Sequence, residues 1–382
     1  MKKNLRLFII ISLFLALNCS QQSKLHLGIV NQMIEDIRDE YAPDRRTSVF
    51  DVSASIEHDT LNLDGAVLSR DALDVLLRKT DSLGIYTVSD NVIVLPDSSA
   101  LKEETYAIIR LSTSQIRRHP EIESELISQA LMGSEIRLLR KGPGRRSLWR
   151  FCQMEDHYLG WIMLSSFVSG DEAFIQDWRN KNKVIVMENY SRVFQSMSDQ
   201  SCQVSDLVCG NKLINLGSQA DWVHVELPDG RQGYVKAGHV MSEETFNSRP
   251  KPTPSQIVKT AKAFNGIPYL WGGTSVKGFD CSGFTQTVYR LNGIQLPRDA
   301  NMQVHSGTPV SLEDGYEQLN VGDLLFWGPD SLKITHVGIY IGDYEFIHSD
   351  GFVHINSLRP DDDDYSDYRR RSLRAARRIL ID

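Results

Sequence analysis

Cysteine is scarce in this chain: five occur among 382 residues, Cys19, Cys152, Cys202, Cys209 and Cys281. No C-x2-C or H-x3-H pair is present, which argues against a structural zinc site. Neither a metal nor any other cofactor is expected. Excess positive charge is also missing, with 42 Lys and Arg against 49 Asp and Glu. A general polyanion binder needs a basic balance, so nucleic acid is not an expected partner. Long apolar runs are absent outside the N-terminus. Even there, "LFIIISLFLALN" falls short of the about 20 apolar residues a membrane span requires.

That run follows the positive stretch "MKKNLR" and breaks at Cys19, the pattern of a secretory signal over residues 1–18. The residues "ALNCS" resemble a lipobox. The resemblance implies that Cys19 becomes the lipidated first residue of the mature protein, with the membrane of the cell envelope as its partner. Export leads to an oxidising compartment, where spare thiols can pair. Cys202 and Cys209 fit either a bridge across a short loop or two small buried residues, and their spacing leaves both open. Cys152 follows Phe151 in a strand-like run and reads as core.

The length allows two to four domains at about 100–200 residues each. Residues 25–100 read as a small α+β unit. Its first helix is stopped by Pro43, an alternating stretch follows from Thr47 to Val67, and an amphipathic helix begins after Ser69 as N-cap. The middle of the chain carries an internal repeat. "SQALMGSEIRLL" (Ser128–Leu139) matches "SDLVCGNKLINL" (Ser205–Leu216), and Trp149 to Gly160 has the same span as Trp222 to Gly233. Short alternating strands separated by turn residues indicate two small β-barrels, over 104–172 and 183–246. They resemble the bacterial SH3 module. The proline-rich "SRPKPTPSQ" (Ser248–Gln256) reads as an extended linker into a last domain, 250–382.

Within that domain "GFDCSGFT" (Gly278–Thr285) isolates one cysteine between an acid and a serine. Phe284, Val288 and Leu291 lie on one helical face, Gly293 follows the end, and Asp280 is a suitable N-cap, so Cys281 begins a helix. Helix-start amides stabilise a thiolate and lower the thiol pKa, which suits a nucleophile. Such a thiol needs a base. "ITHVGIYIGD" and "YEFIHSD" read as two strands of a hairpin that brings His336 and His348 to neighbouring positions. One ring could take the thiol proton while the other holds its tautomer. A metal held by Cys281, His336 and His348 and a buried structural cysteine are the rival readings.

Six segments together resemble the NlpC/P60 family of cell-wall cysteine peptidases: "PYLWGG" (Pro268–Gly273), "FDCSGFT" (Phe279–Thr285), "LPRDA" (Leu296–Ala300), "VGDLLFW" (Val321–Trp327), "THVGIYIGD" (Thr335–Asp343) and "FIHS" (Phe346–Ser349). The resemblance implies a multidomain α+β protein whose papain-like catalytic domain is preceded by two SH3-like barrels and the small N-terminal unit. It implies Cys281 as nucleophile, His336 as base and His348 as orienting residue, with Tyr269 beside the thiol and Trp271 in the same loop. Relatives with two such barrels cut the γ-D-glutamyl bond to a diamino acid in peptidoglycan stem peptides that begin with free L-Ala. A cationic amine calls for a carboxylate, and Asp280 is a candidate, with Ser282 next to the nucleophile. The first barrel would close the pocket through Glu125, or Glu123, and Tyr158. Arg298 would suit a substrate carboxylate. Ala300 stands where the family often has serine. The acidic "DDDD" (Asp361–Asp364) and the basic run Arg369–Arg378 read as solvated faces or a salt-bridged tail. The alternatives are a wall-binding lipoprotein with an inert papain-like domain, and an acyltransferase using the same thioester.

Overall fold

The computed structural model describes residues 22–313 and 315–380 in full. The expected signal and Cys19 lie outside these residues. Among the described residues no helix is long and apolar enough to cross a membrane. Two compact units divide at Lys102 and Glu103.

In the first unit a helix ends at Tyr41, just before Pro43, and buries Val30, Ile34 and Ile37. These are four and three residues apart, one face of a helix. Strand Phe50–Glu57 pairs antiparallel with Thr60–Val67, which pairs in parallel with Thr87–Val94. Parallel neighbours need a crossover, and helix Arg70–Asp81 supplies it. Ser69 caps that helix by accepting from the Ala72 N–H at 3.2 Å.

The second unit holds two seven-stranded sheets of one topology. The first runs Phe167–Gly170, Tyr106–Ile109, Glu135–Lys141, Trp149–Gln153, Leu159–Met163, Thr113–Arg117, Leu126–Leu131. The second runs Val240–Ser242, Lys183–Val186, Lys212–Gln219, Trp222–Glu226, Gln232–Lys236, Tyr190–Phe194, Gln203–Val208. Each member of one list is the repeat partner of the same member of the other. The repeated glycines answer the same steric need. A Cβ on Gly160 would stand 2.3 Å from Ile116 Cγ2, and one on Gly233 would stand 2.4 Å from the Phe194 carbonyl oxygen.

The linker is shorter than the prolines suggest. Thr253 and Gln256 form a reciprocal capping box, and Pro254 occupies the first turn of helix α1, Pro254–Lys262. Its missing N–H and fixed φ suit that position. Helix α2 is Cys281–Leu291. Strands β1 (Thr308–Val310), β2 (Leu324–Trp327), β3 (His336–Gly342), β4 (Glu345–Asp350), β5 (Phe352–Ser357) and β6 (Leu373–Arg378) form one sheet in the order β1-β6-β2-β3-β4-β5. Phe284 and Val288 of α2 pack with Val337, Ile339, Ile347 and Val353 in one buried cluster. Leu131 of the first barrel and Val208 and Cys209 of the second belong to that same cluster. Cys209 is buried and Cys202 exposed, and both thiols are free.

Candidate active site

Helix α2 starts at Cys281 because Asp280 caps it, with Oδ1 accepting from the Gly283 N–H at 2.7 Å. Cys281 is 8% exposed. The backbone N–H of Val337 reaches its thiol, which places the sulfur at the start of β3, beside His336. The expected fall in thiol pKa does not appear. Burial pushes the Cys281 thiol up to about 12, assisted by the Asp280 carboxylate, while the Val337 N–H, Arg298 and the Ser282 N–H act the other way. Desolvation of a thiolate outweighs the helix-start amides here, which favours the neutral thiol at Cys281.

Register explains the histidine pair. His348 lies opposite Gly338, two residues along β3 from His336 and on the same face. Val337, Ile339 and Ile347 face α2, so alternation sends the histidines to the other face, where Trp327 and Phe346 lie beside them. Gly338 makes room for this. A Cβ there would stand 2.9 Å from the His348 Cβ. His336 Nε2 and His348 Nδ1 are 2.8 Å apart, and His348 Nε2 lies 3.0 Å from Asn356 Oδ1. The contact with His348 engages His336 Nε2. Both rings are buried, and burial followed by the nearby Arg369 cation lowers their pKa values: His336 falls well below the usual range and His348 to about 3. Burial thus favours the neutral form of both rings.

Arg298 corrects an expectation. Its side chain is 1% exposed and its donors are occupied within the protein. Nη2 and Nη1 meet Asp280 Oδ2 and Oδ1 at 2.5 and 3.1 Å, Nη1 also meets Ser282 Oγ at 3.0 Å, and Nε meets Ser128 Oγ at 3.1 Å. No fork is left for a substrate carboxylate. Asp280 itself accepts from Gly272, Gly283, Ser282 and Arg298. Its two oxygens, with about four lone-pair positions, are filled, so it does not read an amine unaided. Ser282 is drawn into the same internal network.

The first barrel does meet this region. Glu125 accepts from the Trp271 indole N–H at 2.8 Å and pairs with Arg118 at 2.5 Å. Glu123 is exposed. Tyr158 donates to Asp299 Oδ2 at 2.9 Å. Gln129 accepts from the Thr274 N–H and the Ser275 hydroxyl, at 3.0 and 2.9 Å. Burial and the neighbouring Cys281 raise the Tyr269 phenol, which puts that ring near the sulfur. Arg118 and Arg298 both feel Asp299 and Tyr158. Asp280 and Glu125 are each paired with a guanidinium, of Arg298 and Arg118, and Asp299 accepts from Tyr158. Trp271 is 61% exposed.

Sequence reasoning missed Asn356, Asp299, Gly338 and Arg369. Asp299 was visible inside "LPRDA". Asn356 shares a period-two face with His354, and so with His348 across the ladder. Arg369 carried no signal within its basic run; the structure buries it against Trp327 and pairs it with Asp350 at 2.6 Å. The run is therefore not wholly solvated.

Residues 266–373 match the model of the NlpC/P60 family, and residues 116–167 match that of the bacterial dipeptidyl-peptidase Sh3 domain. A γ-D-glutamyl-L-lysine dipeptidyl-peptidase of Bacillus cereus is 32% identical over 234 residues, covering 59% of this chain and 68% of its own. Dipeptidyl-peptidase 6 of Lysinibacillus sphaericus is 27% identical over 267 residues, covering 66% and 91%. The crystal structure of an NlpC/P60 family protein from Bacillus cereus superposes with a TM-score of 0.62 at 24% identity, over 72% of this chain and 100% of that one.

Proposed function

The chain belongs to the NlpC/P60 family of cysteine-type peptidoglycan hydrolases, and from that premise we propose that it cuts the γ-D-glutamyl bond to a diamino acid in wall-derived peptides with a free N-terminal L-Ala. The observation that carries the finer reading is the first barrel's contact with the loop beside the nucleophile, through Glu125–Trp271 and Tyr158–Asp299. Asp299, which the first barrel meets through Tyr158, is a carboxylate that suits a short cationic terminus.

In the proposed reaction Cys281 Sγ attacks the γ-glutamyl carbonyl carbon as its proton passes to His336 Nδ1. His348 stabilises the imidazolium that forms. The oxyanion accepts from the Cys281 N–H, which as the first helical amide has no partner within the helix. Collapse returns the proton to the departing amine of the diamino acid and leaves a thioester. Water, deprotonated by His336, then attacks the same carbon, releasing L-Ala-γ-D-Glu and the thiol. A neutral thiol beside a neutral base makes proton transfer part of the attack, and Arg369 opposes an imidazolium until negative charge builds on the sulfur or substrate.

The test is incubation of the protein without its signal with L-Ala-γ-D-Glu-diaminopimelate, its N-acetylated form and the lysine counterpart, with products read by mass spectrometry. Cleavage of the free peptides alone, lost in Cys281→Ala, is the expected result. Equal cleavage of the acetylated peptide would remove the amine-reading role of the barrel. Export and anchoring through Cys19 belong to the same proposal. Cys19→Ala should move the protein in cells from the membrane fraction to the soluble envelope fraction.

A further inference from the structure

We propose that Asn356 is a positioning residue that fixes which nitrogen of His336 is free to take the thiol proton. The inference deepens the proposed function and rests on its assignment of Cys281, His336 and His348.

The Asp364 backbone oxygen can only accept, and Asn356 Nδ2 donates to it at 3.0 Å. That contact fixes the amide, because the reversed orientation would set two oxygens against each other. Asn356 Oδ1 then faces His348 Nε2 at 3.0 Å and must be met by a proton. A neutral imidazole carries one N–H. With the proton on Nε2, His348 Nδ1 is a lone pair, and the contact at 2.8 Å requires His336 Nε2 to donate to it. The His336 proton is thereby placed on Nε2, and Nδ1 is left as the base. Each contact dictates the next, from Asp364 through Asn356 and His348 to His336.

Asn356 Oδ1 has a second ring neighbour, His354 Nε2 at 3.2 Å, while His354 Nδ1 lies 2.9 Å from the Phe352 carbonyl oxygen. A neutral His354 has a single N–H, which can meet the Phe352 oxygen at 2.9 Å or Asn356 Oδ1 at 3.2 Å but not both. Asn356 Oδ1, with two lone pairs, has room for the His348 N–H in either case. The loop that supplies Asp364 is tied to the same strand, since Ser357 Oγ meets Asp362 Oδ2 at 2.5 Å and the Ser357 N–H meets the Asp364 oxygen at 3.0 Å. The acidic run therefore anchors the relay.

The experiment uses ring-15N-labelled histidine in the full chain without its signal, with His336 and His348 assigned by single His→Gln variants. The wild-type spectrum should show both rings as Nε2–H tautomers. In Asn356→Ala, His348 should lose its single tautomer, and alkylation of Cys281 by iodoacetamide near neutral pH should slow about 10- to 100-fold, the effect of a buried ring N–H without an acceptor. Peptide turnover should fall by the same factor in kcat with KM unchanged. Asn356→Asp keeps an acceptor oxygen and should restore most of the alkylation rate. Nδ1–H on either wild-type ring overturns the inference, as do equal defects in the Ala and Asp variants, or an Ala variant with unaltered rings and rate. The spectrum and the alkylation need no peptide substrate. Wild-type protein with the stated tautomers and no activity on any stem peptide would support the relay while refuting the function.

Discussion

At the scale of single residues, Arg298 shows how a charge is misread from sequence. Its motif suggested a substrate ligand, but Asp280, eighteen positions away, fills its fork. Spacing along the chain gives no hint of such a pair. Arg298→Met should leave Asp280 buried without its counter-ion and cost about 3–5 kcal/mol by urea unfolding. A substrate ligand would instead raise KM with stability intact. The histidines make a second prediction. In the unfolded chain each takes up a proton near its ordinary pKa, whereas in the folded chain His348 does so only near about 3 and His336 well below normal. Unfolding therefore binds protons at acid pH, and stability should fall as pH drops below about 6.5, by up to about 1.4 kcal/mol per unit for each ring. Unfolding midpoints between about pH 7 and pH 4 check this, and His348→Gln should flatten the slope. The placement of Cys281 and His336 was legible because each opens an element, α2 and β3, and that of His348 because the hairpin spacing pairs its strand with β3. Their charge states were not, because desolvation depends on what the whole fold places around them.

At the scale of elements, the β3–β4 hairpin sets the geometry. The twelve-residue separation of the histidines announced it, but the register came from the turn, where Asp343 and Tyr344 both have positive φ, and from the irregularity between Tyr340 and Gly342. One residue inserted after Asp343 would move every β4 side chain to the opposite face. Such a variant should bury Glu345 or expose Ile347, and should lose Cys281 alkylation by iodoacetamide as well as peptide turnover. Activity that survived would show that His348 is dispensable. The start of α2 was equally legible, from an N-cap followed by a helical row. The start of α1 was hidden by prolines that read as linker, although Thr253 and Gln256 already spelled a capping box.

At the scale of the molecule, the repeat was plain in the sequence and its use was not. Two barrels of one topology turn one shared repeat position, Gln129 and Asp206, toward the peptidase segment 274–277, and add contacts that are not shared. The first makes contact through Gln129 and Glu125, and the second through the Asp206–Lys277 pair at 2.7 Å and the Asn189 amide on the Ala263 carbonyl. Gln129→Ala should leave the buried Thr274 N–H without its acceptor and cost about 1–3 kcal/mol, measurable by urea unfolding. If Gln129 were peripheral, the unfolding midpoint would not move. The shared apolar cluster has a kinetic meaning as well. A lid on a hinge opens in microseconds to milliseconds and admits bulky chains during its open moments. A wall whose Leu131 lies in the peptidase core retreats only by breaking that core. Leakage toward blocked peptides would then follow the population of opened protein, falling tenfold for each about 1.4 kcal/mol of stability, and discrimination would persist on warming until the approach to unfolding.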